Sequence, residues 1–407
     1  MIRFYGRCFD IETKRKGKKM NKGVLSTKVG IIGGGQLGKM MINEAAKMGI
    51  KTVILDPSND CPAGPLANDQ IVAGFDDKLA LLDLANKVDV LTCEFEHIST
   101  DALAYLEEKG HLVYPSSSIL KIIQHKYHQK LELQKHHIPL GDFMAIEGVE
   151  GIKEAASIYG YPIMLKSALD GYDGKGNSLI LSEEEIKTSY DRLKGDTNPL
   201  YVEKFIPFVK EISVLCCYGK NGEIVTYPVA ENVHKNSILF ETCVPADITK
   251  EIENQALSVA KSVCEVFHSV GILCIEMFVT NSGEILVNEV APRPHNSGHY
   301  SIEGCVTSQF ENHIRAVIGL PLGSTKLLCP TVMRNILGEE GYDGEAMVEG
   351  VSEALALEGV SLHIYGKAET KPNRKMGHLT VTNESLEKAK KIAQKGSEEL
   401  RVKSEEI

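Results

Sequence analysis

The chain has 407 residues, 43% of them hydrophobic and 25% charged, which is typical of a globular protein with two or three domains. Its formal net charge of −10 argues against general nucleic-acid binding, because phosphate backbones are bound by basic surfaces. No apolar run is long enough for a membrane helix, and ten cysteines without a C-x-x-C pair predict buried thiols in a reducing, cytoplasmic compartment.

The first segment, residues 1–27, is set apart by the basic run Lys14–Lys19. No apolar stretch follows this run, so the segment lacks the pattern of a secretory signal. A run of like charges is typical of a disordered tail, and we predict one here.

Residues 28–118 alternate short apolar strands with helices, beginning with the strand Lys28–Ile32. This alternation predicts a parallel, doubly wound sheet of the Rossmann-like α/β class. The glycine turn Gly33–Gly38, with Asp56 further on, fits the dinucleotide-binding fingerprint and on its own favours an NAD-dependent oxidoreductase. The same turn suits other phosphate or carboxylate ligands, and a tight turn without any ligand is a third interpretation.

Residues 119–322 have a different pattern. A helix predicted over Ile119–His136 is followed by short strands and hairpins that helices cover, which indicates an α+β domain. Between two of these strands, Asp170–Asn177 has three glycines in six residues and predicts a flap whose backbone N–H groups fold over phosphates. Lys166 ends the preceding strand, where its ammonium would reach the same phosphates. A plain glycine-rich hairpin is the alternative.

Residues 272–296 predict a β-hairpin with one carboxylate on each strand. With the two-residue loop Ser282-Gly283, Glu276 and Glu289 face each other directly, and like charges so placed repel. A fold keeps such a pair when a cation lies between them, and carboxylates together with phosphate oxygens are ligands for Mg²⁺. The alternative is two exposed glutamates on a solvated face, and another loop length would offset them along the strands.

Polar residues near other strand ends are further candidates. The segment Glu94–His97 ends a predicted strand, at the carboxyl edge where ligands bind in parallel sheets. Glu203–Ile206 follows a short strand and would offer backbone groups to a nucleobase. Arg293 lies between two prolines, which suits a fixed, anion-binding guanidinium.

In the small third unit, residues 323–407, cations cluster around Arg374 and suggest an anionic ligand, although a solvated turn is equally compatible with them.

Three motifs in a fixed order carry a resemblance to a known superfamily. They are GGGQLG, GYDGKG and NEVAPRPHNSGH, which begin at Gly33, Gly171 and Asn288. With them, the chain resembles the ATP-grasp superfamily and, within it, the family of 5-(carboxyamino)imidazole ribonucleotide synthases, from about Lys28 to His378. The resemblance implies a Rossmann-like N-terminal domain, a central ATP-grasp domain that binds ATP between its halves, and a small C-terminal domain. It also implies a homodimer.

The family's functional positions carry over to this chain where its motifs match. The resemblance implies that ATP is bound by Lys126, Lys166, Gly171, Tyr172, Asp173, Gly174, Lys175, Gly176, Glu203, Lys204, Phe205, Ile206, Glu211, His234, Asn288 and Glu289. It implies that 5-aminoimidazole ribonucleotide is bound by Gln36, Leu37, Glu94, Tyr172, Asp173, Asn296, Lys367 and Arg374. It implies Mg²⁺ or Mn²⁺ on Glu276 and Glu289, and catalysis by Asp173, Arg293 and His295.

The reaction that the resemblance implies has two steps and belongs to purine biosynthesis. Bicarbonate attacks the γ-phosphate of ATP to give carboxyphosphate and ADP, and the exocyclic amine of the ribonucleotide then captures CO₂ released from carboxyphosphate. We expect Asp173 to orient or deprotonate the amine, with His295 as the rival. Many ATP-grasp relatives carry Glu-x-Asn on the second carboxylate strand, but Ala291 stands in the place of that Asn, so this position offers no third metal ligand.

Three other functions remain open at this point. One is another ATP-grasp carboxylase or ligase, such as a formate-dependent ribonucleotide transformylase. The second is an NAD-dependent oxidoreductase, which rests on the glycine turn. The third is a non-catalytic nucleotide-binding protein that kept the fold and lost turnover.

Overall fold

The computed structural model describes residue 23, residues 26–169 and residues 176–404. Most of the predicted basic tail, together with Asp170 and the predicted flap residues Gly171, Tyr172, Asp173, Gly174 and Lys175, lies outside the described residues. Within the described ranges, no helix is both long enough and apolar enough to cross a membrane. The cysteines of these ranges are all free, and all except Cys329 are buried, which agrees with the prediction of buried thiols.

The N-terminal unit alternates strands and helices along the chain. Its elements are β1 (Lys28–Ile32), α1 (Gln36–Lys47), β2 (Lys51–Asp56), β3 (Asp69–Val72), α2 (Lys78–Lys87), β4 (Val90–Cys93), α3 (Thr100–Glu108) and β5 (Val113–Tyr114). The five strands form one sheet in the order β3-β2-β1-β4-β5, and every neighbouring pair is parallel, which confirms the predicted doubly wound sheet. Strand β3 is not among the predicted elements, because Asp69 and Gln70 leave it without an apolar run.

Two helices, α4 (Ser117–Gln124) and α5 (Lys126–Lys135), connect this sheet to the central unit. The prediction of one helix over Ile119–His136 is wrong, because His125 has the extended backbone angles φ −95° and ψ 97° and separates the two. The His125 ring accepts a hydrogen bond from the amide N–H of His128 and so caps α5.

A four-stranded antiparallel sheet forms one half of the central unit. Its elements are β6 (Phe143–Ala145), α6 (Gly148–Tyr159), β7 (Ile163–Ser167), β8 (Asn177–Ile180), α7 (Ile186–Arg192) and β9 (Leu200–Lys204). The strand order is β6-β9-β7-β8. Helices α6 and α7 pack on the sheet through an apolar core that includes Ile152, Leu165 and Ile186.

The other half of the central unit has longer strands. Its elements are β10 (Phe208–Tyr218), β11 (Ile224–Thr226), β12 (Ala230–Lys235), β13 (Ile238–Val244), α8 (Lys250–Phe267), β14 (Gly271–Thr280), β15 (Ile285–Ala291), α9 (Ser301–Gly304) and α10 (Gln309–Ile318). Helix α8 buries residues three and four positions apart, which form one apolar face and belong to the largest core: Ala256, Val259, Ala260, Val263 and Phe267.

The C-terminal unit continues the same sheet. It consists of β16 (Thr331–Leu337), β17 (Gly344–Glu345), β18 (Met347–Glu349), α11 (Val351–Leu355), β19 (Val360–Ile364), β20 (Glu369–Thr370), β21 (Lys375–Thr382), α12 (Leu386–Glu399) and β22 (Arg401–Lys403). Strand β13 pairs with β16, so one sheet runs through both units in the order β15-β14-β10-β12-β13-β16-β21-β19, with β11 beside β10. Backbone hydrogen bonds therefore join the two units.

The hairpin of β14 and β15 differs from its prediction at the loop. The prediction of a two-residue loop, Ser282-Gly283, is wrong. The amide of Thr280 donates a hydrogen bond to the carbonyl of Glu284 (3.0 Å), and this bond closes a loop of three residues. Gly283 ends this loop at φ +81°, a left-handed conformation that glycine adopts without strain. The longer loop alone would shift the register by one residue.

A β-bulge at Asn288 restores the register. Glu276 pairs with Glu289 as predicted, and the register shifts immediately on the loop side of this pair. Val287 and Val290 are both fully buried in the core although they lie three residues apart. Regular strands alternate faces every residue, so the bulge leaves Asn288 and Glu289 on the same face, opposite the core.

Candidate active site

A cavity of about 600 Å³ lies where the N-terminal turn, the four-stranded sheet and the large sheet meet. Most of the described residues that were predicted to contact ligands line it, namely Gln36, Leu37, Glu94, Lys126, Lys166, Gly176, Glu203, Lys204, Phe205, Ile206, Glu211, His234, Glu276, Asn288, Glu289, Arg293, His295 and Asn296. Lys367 and Arg374 are not lining residues, whereas their neighbour Lys375 is. Lys367 donates to the Lys375 carbonyl (2.7 Å), and Arg374 donates to the Glu369 carbonyl (2.7 Å).

The two opposed carboxylates lie in the wall of this cavity. Burial raises the pKa of Glu276 to about 7, and the facing carboxylate of Glu289 adds to the rise. The ammonium of Lys126 approaches the pair, with Nζ 3.3 Å from Glu289 Oε2, and the imidazole of His295 lies with Nε2 3.6 Å from Glu276 Oε1. A partly buried pair of carboxylates that repel each other is an oxygen donor set for a hard divalent cation, so the residues fit the predicted Mg²⁺.

A buried carboxylate holds two lysines beside the metal pair. Lys130 Nζ and Lys166 Nζ each lie 3.0 Å from one oxygen of Glu203. Lys130 also donates to the Asn288 carbonyl (3.1 Å), and Lys166 donates to the Asn288 side-chain oxygen (3.2 Å). Burial would raise the pKa of Glu203, but the two ammonium groups lower it to about 2. Glu203 therefore stays ionised and fixes both ammonium groups in the cavity wall.

The predicted hinge, Glu203–Ile206, connects β9 of the small sheet to β10 of the large sheet. Only 4% of Glu203 is exposed, and its two oxygens face the lysines. Immediately after the hinge, Phe208 stacks on Phe278 with ring centroids 4.5 Å apart, and both rings line the cavity. Sequence reasoning does not identify this aromatic pair, because the two residues lie on strands that meet only in the fold.

Two predicted nucleotide contacts pair with each other. Glu211 on β10 and His234 on β12 form an ion pair between Glu211 Oε2 and His234 Nδ1. Burial alone would lower the pKa of His234, but the hydrogen bond and the charge of Glu211 raise it above its usual value. The structure thus brings these two residues together as a charged pair in the cavity wall.

Arg293 forms a buried ion pair with Glu96, which follows β4 of the N-terminal unit. Burial would raise the pKa of Glu96, but the Arg293 guanidinium outweighs burial and holds the pKa well below its usual range. The sequence predicts that Glu96 belongs to a segment at a ligand-binding strand end, but it does not predict the pairing with Arg293. The pair fixes the guanidinium where the N-terminal unit meets the loop after β15.

Glu94 occupies the anion position at the N-terminus of α1. Its two oxygens accept hydrogen bonds from the amide groups of Gly35 (2.5 Å) and Gly38 (2.7 Å). A Cβ added at Gly33 would lie 2.4 Å from Glu94 Cγ, so the turn needs glycine to admit this carboxylate. The donors that would bind a dinucleotide pyrophosphate are already taken by a side chain of the same protein, which contradicts the NAD-dependent interpretation of the turn.

The loop after β15 reaches the C-terminal unit through an amide pair. Asn296 Nδ2 donates to Asn335 Oδ1 (3.0 Å), and Asn335 Nδ2 donates back to Asn296 Oδ1 (2.6 Å). Asn335 lies on β16, so the predicted ribonucleotide contact Asn296 is held from the C-terminal unit. In the same loop, burial and the charge of Arg293 lower the pKa of His295 well below its usual value.

Helix α5 supplies two buried polar residues that sequence reasoning misses. Gln129 and Lys130 are 1% and 2% exposed. Gln129 holds the backbone of Val290, donating to its carbonyl (2.8 Å) and accepting from its amide (2.9 Å). Gln129 follows Lys126 by three positions and Lys130 follows it by four, and this spacing places both residues near Lys126 on the helix surface. This spacing is the signal that would have identified them.

Three known domain families match successive parts of the chain. Residues 26–124 match the ribonucleotide synthetase preATP-grasp domain, residues 131–310 match the ATP-grasp domain, and residues 331–392 match the phosphoribosylaminoimidazole carboxylase C-terminal domain. Together they confirm the predicted fold class, with a Rossmann-like first domain, an ATP-grasp centre and a small C-terminal domain.

Two relatives show how far the similarity extends. The chain is 43% identical to the N5-carboxyaminoimidazole ribonucleotide synthase of Bacillus subtilis (strain 168) over 352 residues, which are 86% of this chain and 90% of that relative. It is 41% identical to the chloroplastic phosphoribosylaminoimidazole carboxylase of Vigna aconitifolia over 368 residues, which are 89% of this chain. The chain spans only 65% of the length of this plant relative.

A solved structure has the same fold over nearly the whole chain. It is the N5-carboxyaminoimidazole synthase of Aspergillus clavatus in complex with ADP and 5-aminoimidazole ribonucleotide. The match has a TM-score of 0.86 at 33% sequence identity and covers 93% of this chain and 99% of that chain.

Proposed function

The chain belongs to the N5-carboxyaminoimidazole ribonucleotide synthase family of ATP-grasp enzymes, and we propose that it is an ATP-dependent carbon–nitrogen ligase of de novo purine biosynthesis. It uses ATP and bicarbonate to carboxylate the exocyclic amine of 5-aminoimidazole ribonucleotide. The observation that carries this proposal is the composition of one cavity. Lysines, the opposed pair Glu276 and Glu289, the glycine turn and the Arg293 loop all line it.

In the first step, an oxygen of bicarbonate bonds to the γ-phosphorus of ATP, and the bond from that phosphorus to the oxygen of the departing ADP breaks. The ammonium groups of Lys126 and Lys166 offset the negative charge on the transferring phosphoryl group. Glu203 and Asn288 already hold Lys166 in place, so little reorganisation is needed when the charge develops. The flap Gly171–Gly176 and the hinge Glu203–Ile206 complete the ATP site, together with Glu211, His234 and Asn288.

Glu276 and Glu289 are the residues that would hold Mg²⁺ or Mn²⁺. The bound ion supplies charge neutralisation and orientation of the phosphate oxygens. The support for this assignment is the confirmed pairing of the two carboxylates and the raised pKa of Glu276.

In the second step, carboxyphosphate breaks into CO₂ and phosphate, and the amine nitrogen bonds to the carbon of CO₂ and loses a proton. We assign the ribonucleotide contacts to Gln36, Leu37, Glu94, Tyr172, Asp173, Asn296, Lys367 and Arg374, and the catalytic roles to Asp173, Arg293 and His295. Asp173 orients the amine or takes its proton. Closing the site protects carboxyphosphate from water.

We also propose that the enzyme is a homodimer of the cytoplasm. Free, buried cysteines suit a reducing compartment, and the homodimer rests on the family resemblance alone.

The test is ADP release by the purified protein. We expect ADP to form only when ATP, bicarbonate and 5-aminoimidazole ribonucleotide are all present with Mg²⁺. Omitting the ribonucleotide is the matched control, because it leaves the ATP site complete and removes only the acceptor of CO₂.

The other outcomes identify other functions. ADP release with formate and glycinamide ribonucleotide, and none with the proposed pair, would assign the chain to the transformylases. ATP binding without turnover on any of these substrates would indicate a non-catalytic nucleotide-binding protein.

A further inference from the structure

Lys130 on α5 is the most deeply buried of the lysines that line the cavity. Only 3% of its side chain is exposed, against 14% for Lys126 and 14% for Lys166. Its Nζ lies 3.0 Å from Glu203 Oε1 and donates to the Asn288 carbonyl (3.1 Å). The protein itself therefore engages this ammonium group, whereas Lys126 and Lys166 reach further toward the cavity surface.

Lys130, Glu203 and Lys166 form a triad in which two ammonium groups share one carboxylate. Lys166 Nζ lies 3.0 Å from Glu203 Oε2, the oxygen that Lys130 does not approach. Two positive charges and one negative charge leave the triad with one net positive charge. Glu203 is only 4% exposed, and the Phe143 ring centroid lies 6.0 Å from Lys130 Nζ, so water screens these charges weakly.

The net charge of the triad depends on Lys130. With Lys130 present, one ammonium neutralises Glu203 from behind the cavity wall, and the charge of Lys166 remains for an anion in the cavity. Without Lys130, Glu203 and Lys166 would neutralise each other, and a buried carboxylate would compete with any phosphate for the Lys166 ammonium.

We propose that Lys130 is a positioning residue for nucleotide binding. It neutralises Glu203 and so keeps the positive charge of Lys166 for the phosphates of ATP, without touching the nucleotide itself. This inference rests on the ATP-binding part of the proposed function and adds to it a residue that lies outside the three sequence motifs.

A purely structural role makes a different prediction for one double variant. Lys130 also holds the Asn288 carbonyl at the bulge in β15, so its removal takes away a hydrogen bond as well as a charge. Removing Glu203 together with Lys130 restores the net charge of the triad but leaves the Asn288 carbonyl without this donor. Recovery in the double variant is therefore the signature of the charge role.

The test is ADP binding measured by isothermal titration calorimetry. Lys130→Met keeps the length of the side chain and removes its charge. We expect its Kd for ADP to rise about tenfold to a hundredfold, the order of effect of one charge in a weakly screened site. The K130M/E203Q double variant should recover most of this loss and bind ADP within about threefold of the wild type.

Lys135→Met is the matched control, because it makes the same chemical change on the same helix. Lys135 is 68% exposed in its side chain and pairs only with Glu132 at 2.8 Å among the described ion pairs. This variant should bind ADP as the wild type does.

Two results would overturn the proposal: wild-type affinity in K130M, or a double variant that binds ADP as weakly as K130M. If K130M does not fold, the double variant, which has no unpaired buried carboxylate, is compared directly with the wild type. A Kd that is still about tenfold higher in the double variant would then overturn the charge role.

The titration contains neither bicarbonate nor 5-aminoimidazole ribonucleotide, which keeps this proposal separate from the proposed function. If the wild-type protein releases no ADP with the ribonucleotide, the proposed function fails, and the ADP affinities still decide the role of Lys130. Where turnover is measured, K130M should raise the KM for ATP and leave the KM for the ribonucleotide unchanged. An equal rise in both KM values would contradict a role directed at the nucleotide phosphates.

Discussion

The proposed metal site depends on individual carboxylates, and Glu289 is the clearest case. Its carboxylate faces Glu276 across the hairpin and lies 3.3 Å from Lys126. We predict that Glu289→Gln reduces Mg²⁺-dependent ADP formation by at least about a hundredfold, because the change removes a metal ligand and its charge. The rate of ADP release at saturating ATP, measured over a Mg²⁺ titration, gives the result.

Glu284→Gln is the matched control for this variant. Glu284 lies at the exposed end of the same hairpin and is not among the residues that line the cavity. It should keep the wild-type dependence on Mg²⁺. Near-normal ADP formation by Glu289→Gln would show that the opposed pair is not the metal site.

A site residue is easiest to predict from the sequence when its type is unusual for the segment around it. Glu276, Glu289 and Arg293 are charged residues in apolar or proline-rich segments, and the structure places all three in the cavity wall. Lys130 escapes prediction because a lysine on a charged helix is normally solvated. Its burial depends on Glu203, which is distant in sequence and is brought to it by the fold.

At the scale of elements, one buried carboxylate ties α5, β7 and β9 together. Glu203 on β9 pairs with Lys130 on α5 and Lys166 on β7. Its pKa is about 2 in the folded protein, below the usual 4.5. A group with a lowered pKa stabilises the fold above its unfolded pKa, and this contribution is lost as the pH falls from about 4.5 toward 2.

This linkage gives a stability prediction. The free energy of unfolding of the wild type, relative to Glu203→Gln, should fall by about 3 kcal/mol between pH 6 and pH 2. Urea unfolding followed by circular dichroism at several pH values measures the difference. The exposed Glu150→Gln change should leave the pH dependence within about 0.5 kcal/mol of the wild type. A constant difference between the wild type and Glu203→Gln would show that the triad does not set the pKa.

The hairpin shows why element type is easier to predict than detail. Alternating apolar residues specify β14 and β15, and the opposition of Glu276 and Glu289 is confirmed. The loop prediction is wrong, and only the bulge at Asn288 restores the register. Helix α6 is absent from the prediction because its glycines, Gly148 and Gly151, weaken the helical pattern.

At the scale of the whole molecule, all three units contribute to the site. Glu96 and Arg293 join the N-terminal unit to the loop after β15. Lys39 on α1 donates to the carbonyls of Ile364 and Tyr365 (3.1 and 2.9 Å) and so joins the N-terminal unit to the C-terminal unit. These contacts link residues up to 326 positions apart. No local pattern predicts such pairings, which is why the sequence predicts three units but not how they enclose a cavity.

In the proposed reaction, this cavity joins bicarbonate to the γ-phosphate of ATP and passes its carbon to an amine. The most direct measurement uses bicarbonate labelled with oxygen-18, ATP and 5-aminoimidazole ribonucleotide, with mass analysis of the phosphate released before the label exchanges with water. The bond from a bicarbonate oxygen to phosphorus survives when carboxyphosphate breaks, so the phosphate should carry one labelled oxygen. Phosphate without the label, released together with ADP, would contradict the account.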